Sequence, residues 1–227
     1  MTISIIIPCY NEAENIVDTV DMIKNGIDNA VSDYEIILVD DGSTDNSQEL
    51  ICALLAKDRR IHAAFHPTNC GKGAALRTGF EQARMDWVLT IDTDLQIDIA
   101  ELKFFLPYCA EYDLITGVRV ERNDGFVRSV VSKIYNFVAG LVIGANMRDV
   151  GCPFKLMKTS FVKKLTVTSA RFAVDAEILL FARLNNYQVK QLNVNSRKRI
   201  KGKSTVTLRN YFETLFDIIS LKARRKL

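Results

Sequence analysis

The chain has 227 residues, 48% hydrophobic and 25% charged, with only 11 Gly and 4 Pro. This suits one large domain, or one with an appendage, and excludes a disordered chain, a collagen and a disulfide-stapled miniprotein. Net charge is +3, but residues 197–227 carry ten Lys/Arg against Glu213 and Asp217, a local +8 on a body of −5, which points to an anionic surface or ligand near the C-terminus.

In chain order, Ile3–Pro8, Glu35–Val39, Ile61–Phe65, Trp87–Ile91 and Leu114–Thr116 have strand length and β-branched character. Between them, Glu12–Asn25, Asp45–Lys57 and Gly73–Arg84 show apolar residues three and four apart. Asn11 with Glu14 and Asp45 with Gln48 resemble capping boxes. Alternation of this kind predicts an α/β domain with a mostly parallel sheet covered by helices on both faces.

Beyond Gly117 a polar stretch, Arg119–Gly125, precedes one long apolar helix over Phe126–Met147. A helix over Asp175–Asn185, a strand over Gln188–Asn195 and a basic run, Arg197–Lys203, follow. The last helix, Leu208–Leu221, carries Leu208, Tyr211, Phe212, Leu215, Ile218 and Ile219 on one face. The expected division is a catalytic domain over 1–205 with an amphipathic basic C-terminal helix over 206–227. The longest uncharged stretch, Ile134–Met147, has fourteen residues, too few for a bilayer span. No secretory leader is visible, and five scattered cysteines without a Cys-x-x-Cys pair (Cys9, Cys52, Cys70, Cys109, Cys152) read as cytosolic thiols.

In parallel α/β sheets ligands gather at the carboxyl ends of strands. Cys9-Tyr10-Asn11-Glu12, Asp40-Asp41-Gly42-Ser43 and Asp92-Thr93-Asp94-Leu95-Gln96 all fall there. Asp92 and Asp94 bring two carboxylates close together, a repulsion that a cation relieves. Hard oxygen ligands favour Mg²⁺ or Mn²⁺, and Gln96 offers a neutral oxygen. Asp40 and Asp41 exceed what helix capping needs and suit hydrogen bonds to a nucleoside.

Taken together, Ile-Ile-Ile-Pro-Cys-Tyr-Asn-Glu (5–12), Val-Asp-Asp-Gly-Ser-Thr-Asp (39–45), Asn-Cys-Gly-Lys-Gly-Ala-Ala (69–75) and Ile-Asp-Thr-Asp-Leu-Gln (91–96) resemble glycosyltransferase family 2. Asp-Val-Gly-Cys-Pro-Phe-Lys-Leu (149–156), Phe-Ala-Val-Asp-Ala-Glu-Ile-Leu (172–179) and Arg-Ile-Lys-Gly-Lys-Ser (199–204) are similar to its dolichyl- or polyprenyl-phosphate hexosyltransferase branch. The resemblance implies a GT-A fold, a UDP- or GDP-hexose donor, a divalent metal and inversion at the anomeric carbon. By position it implies that Pro8, Tyr10, Glu12, Asp40 and Asp41 surround the nucleoside, and that Asp92, Asp94 and Gln96 hold metal and diphosphate. It also implies that Arg119, Arg128 and Ser132 grip the acceptor phosphate and that Arg199 belongs to a closing loop.

The acceptor decides which further groups are needed. A hydroxyl must lose a proton, which wants a base, and Asp175 is the candidate. A phosphate monoester, with a second pKa near ~6, is already nucleophilic and needs cations to position it; Arg119, Arg122 and Arg128 are available. Lys72, in Gly71-Lys72-Gly73 at a helix start, is placed to approach the diphosphate, although the P-loop spacing is missing. The expected enzyme is peripheral on the cytosolic face of a membrane, docked on anionic lipid through Ile134–Met147, the basic loop and the last helix, with a partner subunit or a second copy as an option. Three other readings are a soluble enzyme glycosylating a saccharide or protein hydroxyl, a non-catalytic membrane-surface module, and nucleic-acid binding by the basic tail. The last is rejected because Tyr211 and Phe212 fit the apolar stripe. His62 and His66 are expected to be structural.

Overall fold

A computed structural model describes residues 1–27, 30–94, 96–120, 126–144 and 146–197, with 214, 216, 217, 219 and 220 beyond them. For 126–132 only the backbone is described. Seven strands form one sheet: β1 (Thr2–Cys9), β2 (Asp33–Asp40), β3 (Ile61–Phe65), β4 (Trp87–Thr90), β5 (Leu114–Arg119), β6 (Lys155–Lys158) and β7 (Val189–Val194). Their order is β3-β2-β1-β4-β6-β5-β7, with β6 antiparallel to both neighbours and every other pairing parallel. The helices are α1 (Ile16–Ile27), α2 (Ser47–Lys57), α3 (Lys72–Gln82), α4 (Phe126–Ile143), α5 (Thr159–Val162) and α6 (Val174–Leu184).

The strands divide their side chains between two cores. Ile3, Ile5, Ile7, Ile36 and Leu38 face α1 and α2, whereas Ile6, Ile37, Val39 and Val88 face α3, α4 and α6. All nine are fully buried, so each strand reads as a continuous apolar run, as expected for a sheet covered on both faces. The mixed, mostly parallel sheet agrees with the expected GT-A class.

Several local expectations need correction. β6 is a strand that the sequence does not predict, because four residues with a lysine at each end carry no strand signal. Neither capping box closes: Asn11 accepts from Thr44 N (2.8 Å) across to the next loop, and Gln48 turns to Asp40 (2.7 Å). α1 accordingly begins at Ile16 rather than Glu12. The long helix ends at Ile143, four residues early, where Gly144 takes φ +73°. Two 3₁₀ turns, Ile99–Phe104 and Leu106–Tyr108, stand where nothing was expected. The boundary at 205 and most of 206–227 lie outside the described residues; Phe216, Asp217, Ile219 and Ser220 are helical. The five cysteines are unpaired, Cys9 and Cys152 in the core. Among the described residues no helix is long and apolar enough to cross a membrane.

Candidate active site

The carboxyl ends of β1, β2, β4 and β5 lie along one edge of the sheet, with antiparallel β6 between β4 and β5, and the loops leaving β1 and β2 are laced together. Asn11 N donates to Ser43 Oγ (2.9 Å), Glu12 N to Ser47 Oγ (3.0 Å) and Ala13 N to Asp45 Oδ2 (3.1 Å). Asn11 has φ +54°, a left-handed conformation that asparagine tolerates better than most residues. Pro8, Tyr10 and Glu12 are half-buried around this seam, and Glu12 Oε2 accepts from Asn15 Nδ2 (2.6 Å).

The two acids closing β2 are both buried and play different parts. Asp40 Oδ2 accepts from Ser43 N (3.1 Å) and Gln48 Nε2 (2.7 Å), while Oδ1 is buried without a partner among the described residues. Asp41 ties β2 to the entry of α3: Oδ1 is 2.7 Å from His66 Nδ1 and accepts from Cys70 N (2.9 Å), and Oδ2 accepts from Gly71 N (2.7 Å). His66 bridges onward to Thr78 Oγ1 at 2.9 Å, and His62 lies 3.4 Å from Glu35. His66 thus helps to orient Asp41, a contact invisible to a spacing argument.

Gly71 opens α3 with φ +94°, and a side chain there would run into the Ala170 carbonyl. Gly71→Ala should therefore cost about 1–2 kcal/mol. In a thermal melt that is a fall in Tm of about 2–8 °C.

Asp92 and Asp94 lie on the turn after β4, fixed from behind by Thr19 Oγ1 donating to Thr93 O (3.0 Å). Asp94 Oδ1 accepts from Gln96 N (3.2 Å). The turn also meets the far end of the chain, because Arg197 N donates to Gln96 O (2.7 Å) and Arg197 pairs with Asp98 at 3.0 Å. The chain thus enters its basic run beside the acidic turn. Arg199 itself, and Arg122, lie outside the described residues, and Arg128 and Ser132 are placed on α4 by backbone alone.

Across the turn stands a chain of alternating charges. Lys72 Nζ is 2.9 Å from Asp92 Oδ1, 3.2 Å from Asp92 Oδ2 and 3.5 Å from Asp175 Oδ2. Asp175 Oδ1 lies 2.5 Å from Nζ of Lys155, a fully buried lysine that also donates to the carbonyls of Val150 and Cys152. Burial opposes the charge on Asp175, but Lys155 and then Lys72 outweigh it and hold the carboxyl below the usual range. Burial likewise opposes the charge on Lys72, and Asp175 and Asp92 overcome it to keep the ammonium protonated. Nothing in the sequence marks Lys155, because a buried charge and a solvated one look alike there. Glu177 is equally buried and holds the preceding loop, accepting from Thr168 N (3.0 Å) and Ser169 N (2.9 Å).

Arg119, at the end of β5, forks onto Asp149: Nε to Oδ2 at 2.8 Å and Nη2 to Oδ1 at 2.9 Å, with Nη2 also 3.2 Å from Gly151 O. Burial works against its charge, and the Asp149 pair more than compensates.

This donor set suits a divalent cation. Asp92 and Asp94 are hard carboxylates on one turn, half-buried, with Gln96 beside them, as Mg²⁺ or Mn²⁺ requires. In this structure the cation beside Asp92 is the Lys72 ammonium.

The model for "Glycosyl transferase family 2" matches residues 4–166. Undecaprenyl-phosphate 4-deoxy-4-formamido-L-arabinose transferases of Yersinia pestis (strain Pestoides F) and Yersinia pseudotuberculosis (serotype IB, strain PB1/+) are each 30% identical over 220 residues. The match takes in 96% of this chain and 66% of theirs, so the chain spans just under two thirds of the length of these curated relatives. Among solved structures, glucosyl-3-phosphoglycerate synthase from Mycobacterium tuberculosis in complex with Mn²⁺ and UDP-glucose superimposes with a TM-score of 0.70. Identity is 22%, over 99% of this chain and 78% of that one. A further mycobacterial protein gives 0.71 at 22% identity, over 99% and 74%. At that identity the two structures speak for the fold.

Proposed function

Because the chain belongs to glycosyl transferase family 2, we propose that it transfers a sugar from a UDP- or GDP-hexose to a polyprenyl phosphate, with inversion, at a membrane surface. The observation that carries this reading is the state of Asp175. Paired with Lys155 and Lys72, it is a poor base, so the site suits an acceptor that needs no deprotonation. A phosphate monoester is such an acceptor. The relatives named for undecaprenyl phosphate support the same class.

In this account Tyr10, Glu12, Asp40 and Asp41 line the nucleoside site with Pro8. Asp92, Asp94 and Gln96 hold Mg²⁺ or Mn²⁺, which when bound supplies Lewis-acid stabilisation of the diphosphate. Lys72 offers hydrogen bonds to the charge that grows on the leaving diphosphate. Arg119, pre-oriented by Asp149, works with Arg128 and Ser132 to hold the acceptor phosphate, and Arg199 belongs to the loop that closes over the site. A phosphate oxygen attacks the anomeric carbon opposite the diphosphate; the new C–O bond forms as the bond to the diphosphate breaks. Asp175 stays ionised throughout and keeps Lys72 protonated.

The membrane reading rests on α4. Tyr135, Ala139 and Ile143 turn one face of it into the core, while Ile134, Phe137 and Leu141 lie on another, 54%, 68% and 62% exposed. Phe216 and Ile219 are exposed as well. An exposed apolar stripe, in a chain whose sequence carries a basic run, suits an interfacial helix on anionic lipid.

The test is sugar transfer from UDP- and GDP-hexoses, with UDP-pentoses added because the relatives' names carry an L-arabinose derivative. Mg²⁺ or Mn²⁺ is supplied, with and without a short-chain polyprenyl phosphate. Lipid-linked product is expected. Donor turnover without it would transfer the reading to a hydroxyl acceptor. Arg128→Ala should raise KM for the lipid phosphate at least about tenfold, the size of one charge-assisted hydrogen bond, and leave nucleotide binding unchanged in calorimetry. Equal loss of both would remove Arg128 from the acceptor site.

A further inference from the structure

The carboxylate assigned to the metal is already in use. Lys72 Nζ straddles Asp92, within 3.2 Å of both oxygens, so it lies on the face of the carboxylate that a cation chelated by both oxygens would take. An ammonium and a divalent ion at contact distance on one carboxylate repel, so each weakens the other's hold on it. Lys72 is not held there by Asp92 alone. Asp175 lies 3.5 Å away on the other side and is pinned in turn by Lys155. The ammonium therefore rests between two acids at the floor of the site, on a flexible four-carbon stem with three rotatable donors, the side chain best able to exchange a carboxylate for a phosphate.

We propose that Lys72 and the divalent cation are alternative partners of Asp92, and that the donor's diphosphate settles the exchange by drawing the ammonium off the carboxylate as the metal takes its place. Lys72 is then the residue that makes metal binding conditional on nucleotide. Before the nucleotide arrives, it keeps the acidic turn neutralised; once the diphosphate is in place, the same charge serves the leaving group. This rests on the metal reading of Asp92 and Asp94 given above. Linkage makes the coupling reciprocal: whatever factor the nucleotide adds to metal affinity, the metal adds to nucleotide affinity.

The test is a titration of the intact chain with Mn²⁺, following free Mn²⁺ by electron paramagnetic resonance, alone and with UDP or GDP. High salt screens charges beyond contact distance and leaves direct displacement as the effect measured. Without nucleotide, Lys72→Met should bind Mn²⁺ about tenfold more tightly than the wild type, a coupling of ordinary size. Lys72→Arg, which keeps the charge, should not. Nucleotide should raise the affinity of the wild type by a larger factor than that of Lys72→Met. Lys72→Gln carries the same expectation should the methionine variant fail to fold. Equal or weaker nucleotide-free affinity in folded Lys72→Met or Lys72→Gln would overturn the proposal while leaving the metal site standing. Wild-type protein that binds no Mn²⁺ even with nucleotide, or Asp94→Asn that binds it as well as the wild type, would overturn the metal reading and the proposal with it.

Discussion

Asp94→Asn is expected to lower sugar transfer by about 10²–10³-fold while leaving the melting temperature within a degree or two of the wild type. Charge stabilisation of the leaving diphosphate is worth several kcal/mol, and each 1.4 kcal/mol is a factor of ten in rate. Asp94 is half-buried on a turn whose backbone is held by Thr19 and Arg197, so the substitution removes a ligand charge without opening the core. The hydrogen bond that Asp94 accepts from Gln96 N can still be accepted by an amide oxygen. Steady-state transfer assays beside thermal melts separate the two effects. Full activity in the folded variant would remove Asp94 from the metal site.

Lys155→Met is expected to be the most destabilising single change in the site. The lysine has no exposed surface, and its loss leaves Asp175 buried with Lys72 at 3.5 Å and the more distant Arg119 to balance its charge. Removing one member of a buried pair costs about 3–5 kcal/mol, or about 6–20 °C in Tm for a chain of this size. Replacing both members, Lys155→Met with Asp175→Leu, should recover most of that loss, because the pair's desolvation disappears with it. The pH dependence has a definite sign. The folded pKa of Asp175 lies below its unfolded value, so its contribution is present above the ordinary carboxylate range and is lost as pH falls through the folded value. Melts from pH 7 downward should show the wild type losing stability faster than the double variant. Parallel loss in both would mean that the pair contributes nothing to acid sensitivity.

The parts of the molecule written in local patterns were legible. Five strands, three helices between them and the acids at the strand ends follow from apolar runs such as Ile3–Pro8 and from their position before Asp40 and Asp92. The antiparallel β6 was not legible, because its four residues are bounded by Lys155 and Lys158 and its pairing to β4 and β5 is wholly non-local. The site's charges were legible one at a time and their couplings were not. Lys72 and Asp175 stand 103 positions apart in the chain and meet across α3 and α6. Arg119 meets Asp149 only because β5 and the loop before β6 converge. Asp175, a candidate base when read beside its neighbours in sequence, takes its chemistry from two lysines far away in the chain. His66 owes its place on Asp41 to the same kind of contact.

The central claim is that the acceptor is an anion gripped by cations rather than a hydroxyl activated by a base. The measurement that bears on it most directly sets polyprenyl phosphate against the free polyprenol of the same chain length in one vesicle preparation, with the productive donor and Mn²⁺ supplied. The account predicts a glycosylated lipid phosphate and no product from the alcohol across pH 6–9. Efficient glycosylation of the polyprenol would contradict it.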